Sequence, residues 1–305
     1  MDHKSERGDA TACQGQAQPG GGMATAPPNV TKTAVARVPY LNCAPFFEGL
    51  LLGDAWEWVA LSPHRLGVEA EAGRVTAGPM SLADFLRLQD RFERLGPLGI
   101  ATRGRCGSAL LFSRKPLRQL EAGSTIAVTD DTSTTVLLLR LILEQRYRLE
   151  GIAYRRAADL PAAPGLSAVP GTAQADAAQA GGADAVLLIG DEALRFRAGN
   201  RTYPFETDVG FEWWLWQHLP TVFAVWAIRK DCAPSEKQQL SRLVQQQLAR
   251  NLGRLETIAG ERAKALGLPA SELQRYLENF IYRLSDPEEQ AIARFDQLLH
   301  DHHLS

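Results

Sequence analysis

The chain has 305 residues, of which 45% are apolar and 22% charged, enough for two ordinary globular domains or one large one. Its 33 basic and 35 acidic side chains leave a formal net charge of −2 and are interspersed, so no basic stripe for a nucleic acid and no acidic tail is present. Four cysteines (Cys13, Cys43, Cys106, Cys232) lie far apart without a CxxC pair, which argues against a zinc site or a disulfide framework and fits a reducing compartment.

The first 30 residues are rich in Gly, Ala, Gln and Pro. They lack the apolar run of about 7–15 residues that a secretory signal needs. No other stretch is apolar enough to span a bilayer. Residues 1–32 are therefore expected to be a disordered leader, with Met23 a second candidate initiator. A cytoplasmic protein with no nucleic-acid or membrane partner is expected.

Beyond the leader, Ala34–Val38 reads as a strand and Ala44–Leu52 as a helix begun at Asn42. Glu57–Leu61 is a second strand, and 63–72 a helix closed by Gly73. Val75–Gly78 is a third strand, followed by helix Leu82–Gln89 with Ser81 in the cap position. This alternation predicts a mainly parallel sheet covered on both faces. Ala109–Phe112 and Thr125–Thr129 read as further buried strands, with a short helix at 116–120 between them. Residues 134–147 carry a wide apolar stripe of Val136, Leu137, Leu138, Leu141 and Ile142, which predicts a helix. Residues 158–182 read as loops and one weak helix. Ala185–Ile189, stopped by Gly190, and Thr221–Ile228 are apolar enough for buried strands.

The C-terminal third reads as nearly all helix. Leu240, Leu243, Val244, Leu248, Leu252 and Leu255 recur at helical spacing, and three start signals punctuate the region: Ser235 with Gln238, Ser271 with Gln274, and Asp286 before Pro287. The expected fold is α/β with two lobes, a cleft between them and a helical C-terminal segment. Residues 33–123 with 229–305 would form the first lobe and 124–228 the second. In open α/β sheets ligands collect at the carboxyl ends of strands, where helix starts also point.

Small polar residues occupy those turns: Asn42, Ser81, Thr132, Ser133, Thr134 and Thr135, then Asp191. Each alone is explained as a helix cap. Four hydroxyls in tandem exceed what a cap requires, and unpaired N–H groups with hydroxyls suit a carboxylate or phosphate. Asp130, Asp131, Asp191 and Glu192 could serve as general bases or merely answer helix dipoles. Ser108 could bind ligand or start a strand. Arg103 and Arg105 could meet a carboxylate or sit solvated in a loop. Trp213, Trp214, Trp216 and Trp226 fit a core at the lobe junction better than a ring-binding pocket. The terminal His300, Asp301, His302 and His303 resemble a metal-binding string, but a loose chain end explains them equally. No P-loop, GxGxxG, HExxH or GxSxG occurs, and no metal site or cofactor is expected.

Val38-Pro39-Tyr40-Leu41-Asn42 with Pro45 resembles the opening of the menaquinone-biosynthetic chorismate dehydratases of the futalosine pathway. The likeness continues through Gly78-Pro79-Met80-Ser81, Gly107 to Ser113, Thr132 to Thr135, Ala185 to Leu194, and Leu219-Pro220 to Trp226. These blocks span roughly residues 34–300. Three departures stand out. A serine pair in the family reads Ser81-Leu82, Ser-x-Thr-Ser reads Thr132-Ser133-Thr134-Thr135, and Thr-Gly-Leu-Pro-Phe reads Gln217-His218-Leu219-Pro220-Thr221.

The resemblance implies a periplasmic-binding-protein-like fold of the second type and a cofactor-free lyase converting chorismate to 3-[(1-carboxyvinyl)oxy]benzoate and water. On that basis Ser81, Ser108 and Thr132–Thr135 would bind substrate, and Asn42 would polarise it near the reacting carbons. The substrate's own enolpyruvyl carboxylate would take the proton, with Asp191 the alternative base. A non-catalytic small-anion solute-binding protein is the main rival, since the same cleft serves such receptors.

Overall fold

The computed structural model describes residues 33–129, 132–160 and 182–304. The expected leader, Asp130, Asp131 and most of the 158–182 segment lie outside them. Two mixed sheets form the frame. The first has six strands: β1 (Thr33–Arg37), β2 (Trp56–Ala60), β3 (Ala77–Ser81), β4 (Phe92–Thr102), β10 (Thr221–Arg229) and β11 (Phe280–Arg283). Their order is β11-β4-β10-β3-β1-β2. The second holds β5 (Ala109–Ser113), β6 (Thr125–Val128), β7 (Ala153–Arg156), β8 (Ala185–Ile189) and β9 (Phe205–Asp208), in the order β7-β6-β8-β5-β9.

Within the first sheet β1 runs parallel to β2 and β3, and β10 runs antiparallel to β3 and β4. In the second, β6 is parallel to β7 and β8, while β5 is antiparallel to β8 and β9. The chain passes between the sheets after β4 and again before β10, two strands paired side by side with Thr221 opposite Thr102. This pairing differs from the expected lobe boundaries. Ala109–Ser113 lies within the residues expected for the first lobe but joins the second sheet, and 221–228, within those expected for the second, joins the first. Apolar content marks a strand as buried without saying against which sheet.

Period-two alternation divides the second sheet's side chains between its faces. Leu111 and Leu187 enter the main core, whereas Leu110, Phe112, Val186 and Leu188 enter a smaller cluster with Tyr203 on the other face. The main core extends through the first sheet and onto the C-terminal helices, α7 (Pro234–Leu252), α8 (Leu255–Leu266), α9 (Ala270–Glu278) and α10 (Asp286–Asp301). Beyond β10 the described chain is thus helical except for β11, which pairs with β4. Trp213 and Trp226 are core residues, with Trp213 donating through Nε1 to the Pro220 carbonyl at 3.0 Å. His300 and Asp301 belong to the last turn of α10 rather than to a loose end. Among the described residues no His/Cys/Asp/Glu group could hold a metal ion, and no helix is long and apolar enough to cross a membrane.

The predicted helix at 44–52 is shorter than expected. A 3-10 turn at Leu41–Cys43 leads into α1 (Ala44–Phe47), which ends because Glu48 is extended and Gly49 takes φ +75°. Asn251 and Gln247 from α7 take up the carbonyls this leaves behind: Asn251 Nδ2 donates to Pro45 at 3.0 Å and to Glu48 at 2.8 Å, and Gln247 Nε2 to Glu48 at 2.6 Å. Without that bracket, buried carbonyls would stand unpaired at a cost of about 1–3 kcal/mol each.

Candidate active site

Four strand ends of parallel geometry deliver their loops to one cavity between the sheets. After β1 come Tyr40, Asn42 and Cys43; Ser81 ends β3; after β6 come Thr132, Ser133, Thr134 and Thr135; after β8 comes Gly190. Ser108, just before β5, completes the polar lining, and Val38, Ile100, Phe223 and Phe280 supply apolar wall. The cavity volume is about 70 Å³, below the roughly 300–1,000 Å³ usual for small-molecule sites.

Seven of the eight site residues expected from the sequence therefore meet. Their hydroxyls are not equivalent. Ser81, extended at φ −55° and ψ 143°, caps α3 (Leu82–Arg87): its Oγ accepts from the Asp84 N–H at 3.2 Å and donates to Asp84 Oδ2 at 2.7 Å. Asp84 is itself buried, with the backbone of Gly67 so close that a Cβ there would lie 2.5 Å from its carboxyl carbon. Ser133 precedes α4 (Thr134–Leu141) but makes no side-chain cap, because its backbone is already helical at φ −112° and ψ −63°. Helix α4 continues into one π-type turn at Ile142–Arg146, which accounts for the long predicted helix.

Two buried oxygens lining this cavity lack partners, Asn42 Oδ1 and Thr132 Oγ1. Buried polar atoms are almost always paired, so both await a ligand or water. Thr134 Oγ1 accepts from the Ala83 N–H at 3.0 Å, joining the α4 start to the α3 start across the cleft. Ser108 Oγ accepts from the Tyr276 hydroxyl of α9 at 2.8 Å, which leaves the serine proton to be given elsewhere. Burial pushes Tyr276 well above the ordinary phenol range and likewise raises the Cys43 and Cys106 thiols. Each is thereby held toward its neutral form, and among the described lining residues there is no Asp or Glu.

Asp191 opens α5 (Gly190–Gly199) with its carboxylate buried, and it does not line the cavity. Its Oδ1 accepts from the Leu41 N–H at 2.8 Å. Arg103 reaches Glu288 at 3.5 Å and Arg105 lies 4.5 Å from the Phe211 ring centre, so neither contributes to the lining. The sequence reading missed Tyr40 as a wall residue, although it stands in the quoted opening, along with Phe223 and Phe280. Phe280 depends on β11, whose four residues gave no strand signal of their own.

A two-sheet α/β frame crossed twice by the chain, with its ligand cavity at the strand ends between the sheets, is the periplasmic-binding-protein fold. Solved structures agree. Protein AF1704 from Archaeoglobus fulgidus superposes with a TM-score of 0.69 at 18% identity, covering 90% of this chain and 98% of that one. The periplasmic aliphatic sulphonate binding protein SsuA from Escherichia coli gives 0.59 at 15% identity, covering 90% and 88%.

The family model described as menaquinone biosynthesis matches residues 33–301, and the chain belongs to that family. It is also 29% identical over 274 residues to the chorismate dehydratase of Thermus thermophilus, covering 85% of this chain and 92% of that protein.

Proposed function

We propose that the protein is a chorismate dehydratase, releasing 3-[(1-carboxyvinyl)oxy]benzoate and water in the futalosine route to menaquinone. The observation that carries this reading is the pair of orphaned oxygens. Asn42 Oδ1 calls for a donor on the ligand, and the Thr132 hydroxyl can donate to an acceptor there. Chorismate offers both, with a ring hydroxyl and two carboxylates. Membership of a menaquinone-biosynthetic family and the 29% identity to a chorismate dehydratase point the same way.

The reaction breaks the C3–H and C4–O bonds. The C–H electron pair enters the ring, and the C4 oxygen departs as water with the proton that the enolpyruvyl carboxylate took from C3, while aromatisation drives the balance. The protein's task is to hold the ring carboxylate while negative charge spreads onto it. Neutral, preorganised hydroxyl donors do this without rearranging during the reaction. Thr132, Ser133, Thr135 and Ser108 bind the carboxylates, Thr134 ties the α4 start to the opposite wall, and Asn42 Oδ1 accepts from the C4 hydroxyl and so orients the C–O bond that breaks. The enolpyruvyl carboxylate of the substrate takes the C3 proton, and the apolar wall of Ile100, Phe223 and Phe280 keeps water from the ring.

The test is direct: purified protein is mixed with chorismate, the diene absorbance is followed, and the product is identified by mass. Loss of the diene with a product lighter by one water supports the reading. Chorismate bound yet recovered unchanged would favour the non-catalytic receptor that binding-protein neighbours such as SsuA bring to mind.

A further inference from the structure

The first N–H groups of a helical turn have no partner within the turn and need an acceptor from outside. In the 3-10 turn at Leu41–Cys43 the preceding residue, Tyr40, gives no side-chain cap. The acceptor comes from the other side of the cleft: Asp191 Oδ1, at the start of α5, lies 2.8 Å from the Leu41 nitrogen. The next residue is Asn42, whose Oδ1 is unpaired at the cavity. Asp191 itself is 8% exposed and outside the cavity lining. Beside this contact the Tyr40 ring lies against Gly190, where a Cβ would come within 2.7 Å of it and where φ is +59°. The glycine therefore permits the two walls to approach closely enough for the carboxylate to reach.

We infer that Asp191 is a positioning residue, a cap supplied across the cleft that fixes the Leu41–Cys43 turn and so aims Asn42, rather than the acceptor of the substrate's proton. The inference rests on the dehydratase reading for its activity arm only.

Asp191→Asn keeps an oxygen for Leu41 but cannot take a proton, whereas Asp191→Ala removes the cap. Turnover of chorismate and hydrogen–deuterium exchange of the Leu41 amide are measured on the full chain, with circular dichroism to confirm folding. For Asp191→Ala we expect kcat to fall about 30-fold or more, KM to change less than about threefold, and Leu41 exchange to quicken at least about tenfold. Asp191→Asn is expected to stay within about fivefold of the parent in both measurements. An Asp191→Asn protein that protects Leu41 yet has lost turnover overturns the inference and makes Asp191 the base. So does an Asp191→Ala protein with unchanged exchange. If Asp191→Ala does not fold, Asp191→Asn decides alone by the same two readings. If the parent leaves chorismate untouched, the dehydratase reading fails while the exchange measurements still judge the cap.

Discussion

Two helix starts face each other across the cavity, and the sequence makes them look alike. One is Ser81 before α3, the other Thr132-Ser133 before α4. Ser81 is extended, so its hydroxyl lies over the first turn and both its donor and an acceptor site are taken by Asp84. Ser133 is already helical and caps nothing, and the Thr132 hydroxyl beside it is buried without a partner. The same residue type at the same topological place is structural on one side and available on the other. A backbone angle decides which, together with an acidic residue at the third helical position of α3 that α4 replaces with Val136.

The contrast can be tested from its largest consequence down. Asn42 supplies the other orphaned oxygen, and Asn42→Ala should lower kcat on chorismate by about 10²–10³-fold while KM moves much less. Equal losses in both would remove Asn42 from the chemistry. Thr132→Val keeps the shape and deletes the hydroxyl. It should raise KM roughly 10-fold or more, as expected when a hydrogen bond to a charged group is lost, with the urea midpoint unchanged. Ser81→Ala should do the reverse, costing about 0.5–2 kcal/mol of stability in urea unfolding with KM within about threefold. If Ser81→Ala impairs binding as much as Thr132→Val, the division between the two starts is wrong.

The smallest effect concerns the third helix start, that of α5. Burial raises the Asp191 carboxyl above its ordinary value, against the opposing pull of the Leu41 N–H, Arg195 and Arg262. The folded state therefore holds this proton more tightly than the unfolded chain. That contribution to stability is full below the unfolded carboxylate value of about 4 and is lost as pH rises through the folded value. Asp191→Asn should accordingly resist urea slightly better than the parent at neutral pH, and the advantage should vanish as pH falls toward about 4.

Much of this frame is legible in the sequence because burial writes itself into composition. β1, β8 and the apolar stripe of α4 announce themselves, and the turns after β1, β3, β6 and β8 carry the polar residues that meet at the cavity. The edge strands of the second sheet do not show. β7, with exposed Arg155 and Arg156, and β9, with exposed Phe205 and Glu206, have one side in solvent and no continuous apolar run. β4 hides because Gly96 and Pro97 interrupt it, with Gly96 at φ +72°, although it is eleven residues long. Helix boundaries slipped where the cap was unexpected. α7 starts at Pro234, ahead of Ser235, and Glu236 reaches back to the Ala233 N–H at 3.1 Å. In the same way His218 holds φ +57° to end α6 (Val209–Gln217), in the place where the related pattern has glycine. What no local pattern could give is how Ser108 and Asp191 are engaged, since Tyr276 and Leu41 reach them only once the sheets have assembled.

The cavity wall runs from Val38 to Phe280, and Tyr276, which holds Ser108, comes from the same late stretch of chain. A nascent polypeptide on the ribosome could complete the second sheet while the binding chamber still lacked part of its lining. Such a chain would carry the polar lining without the Phe280 wall and without the Tyr276 hydroxyl on Ser108. Ligand would then protect full-length molecules from degradation better than truncated ones.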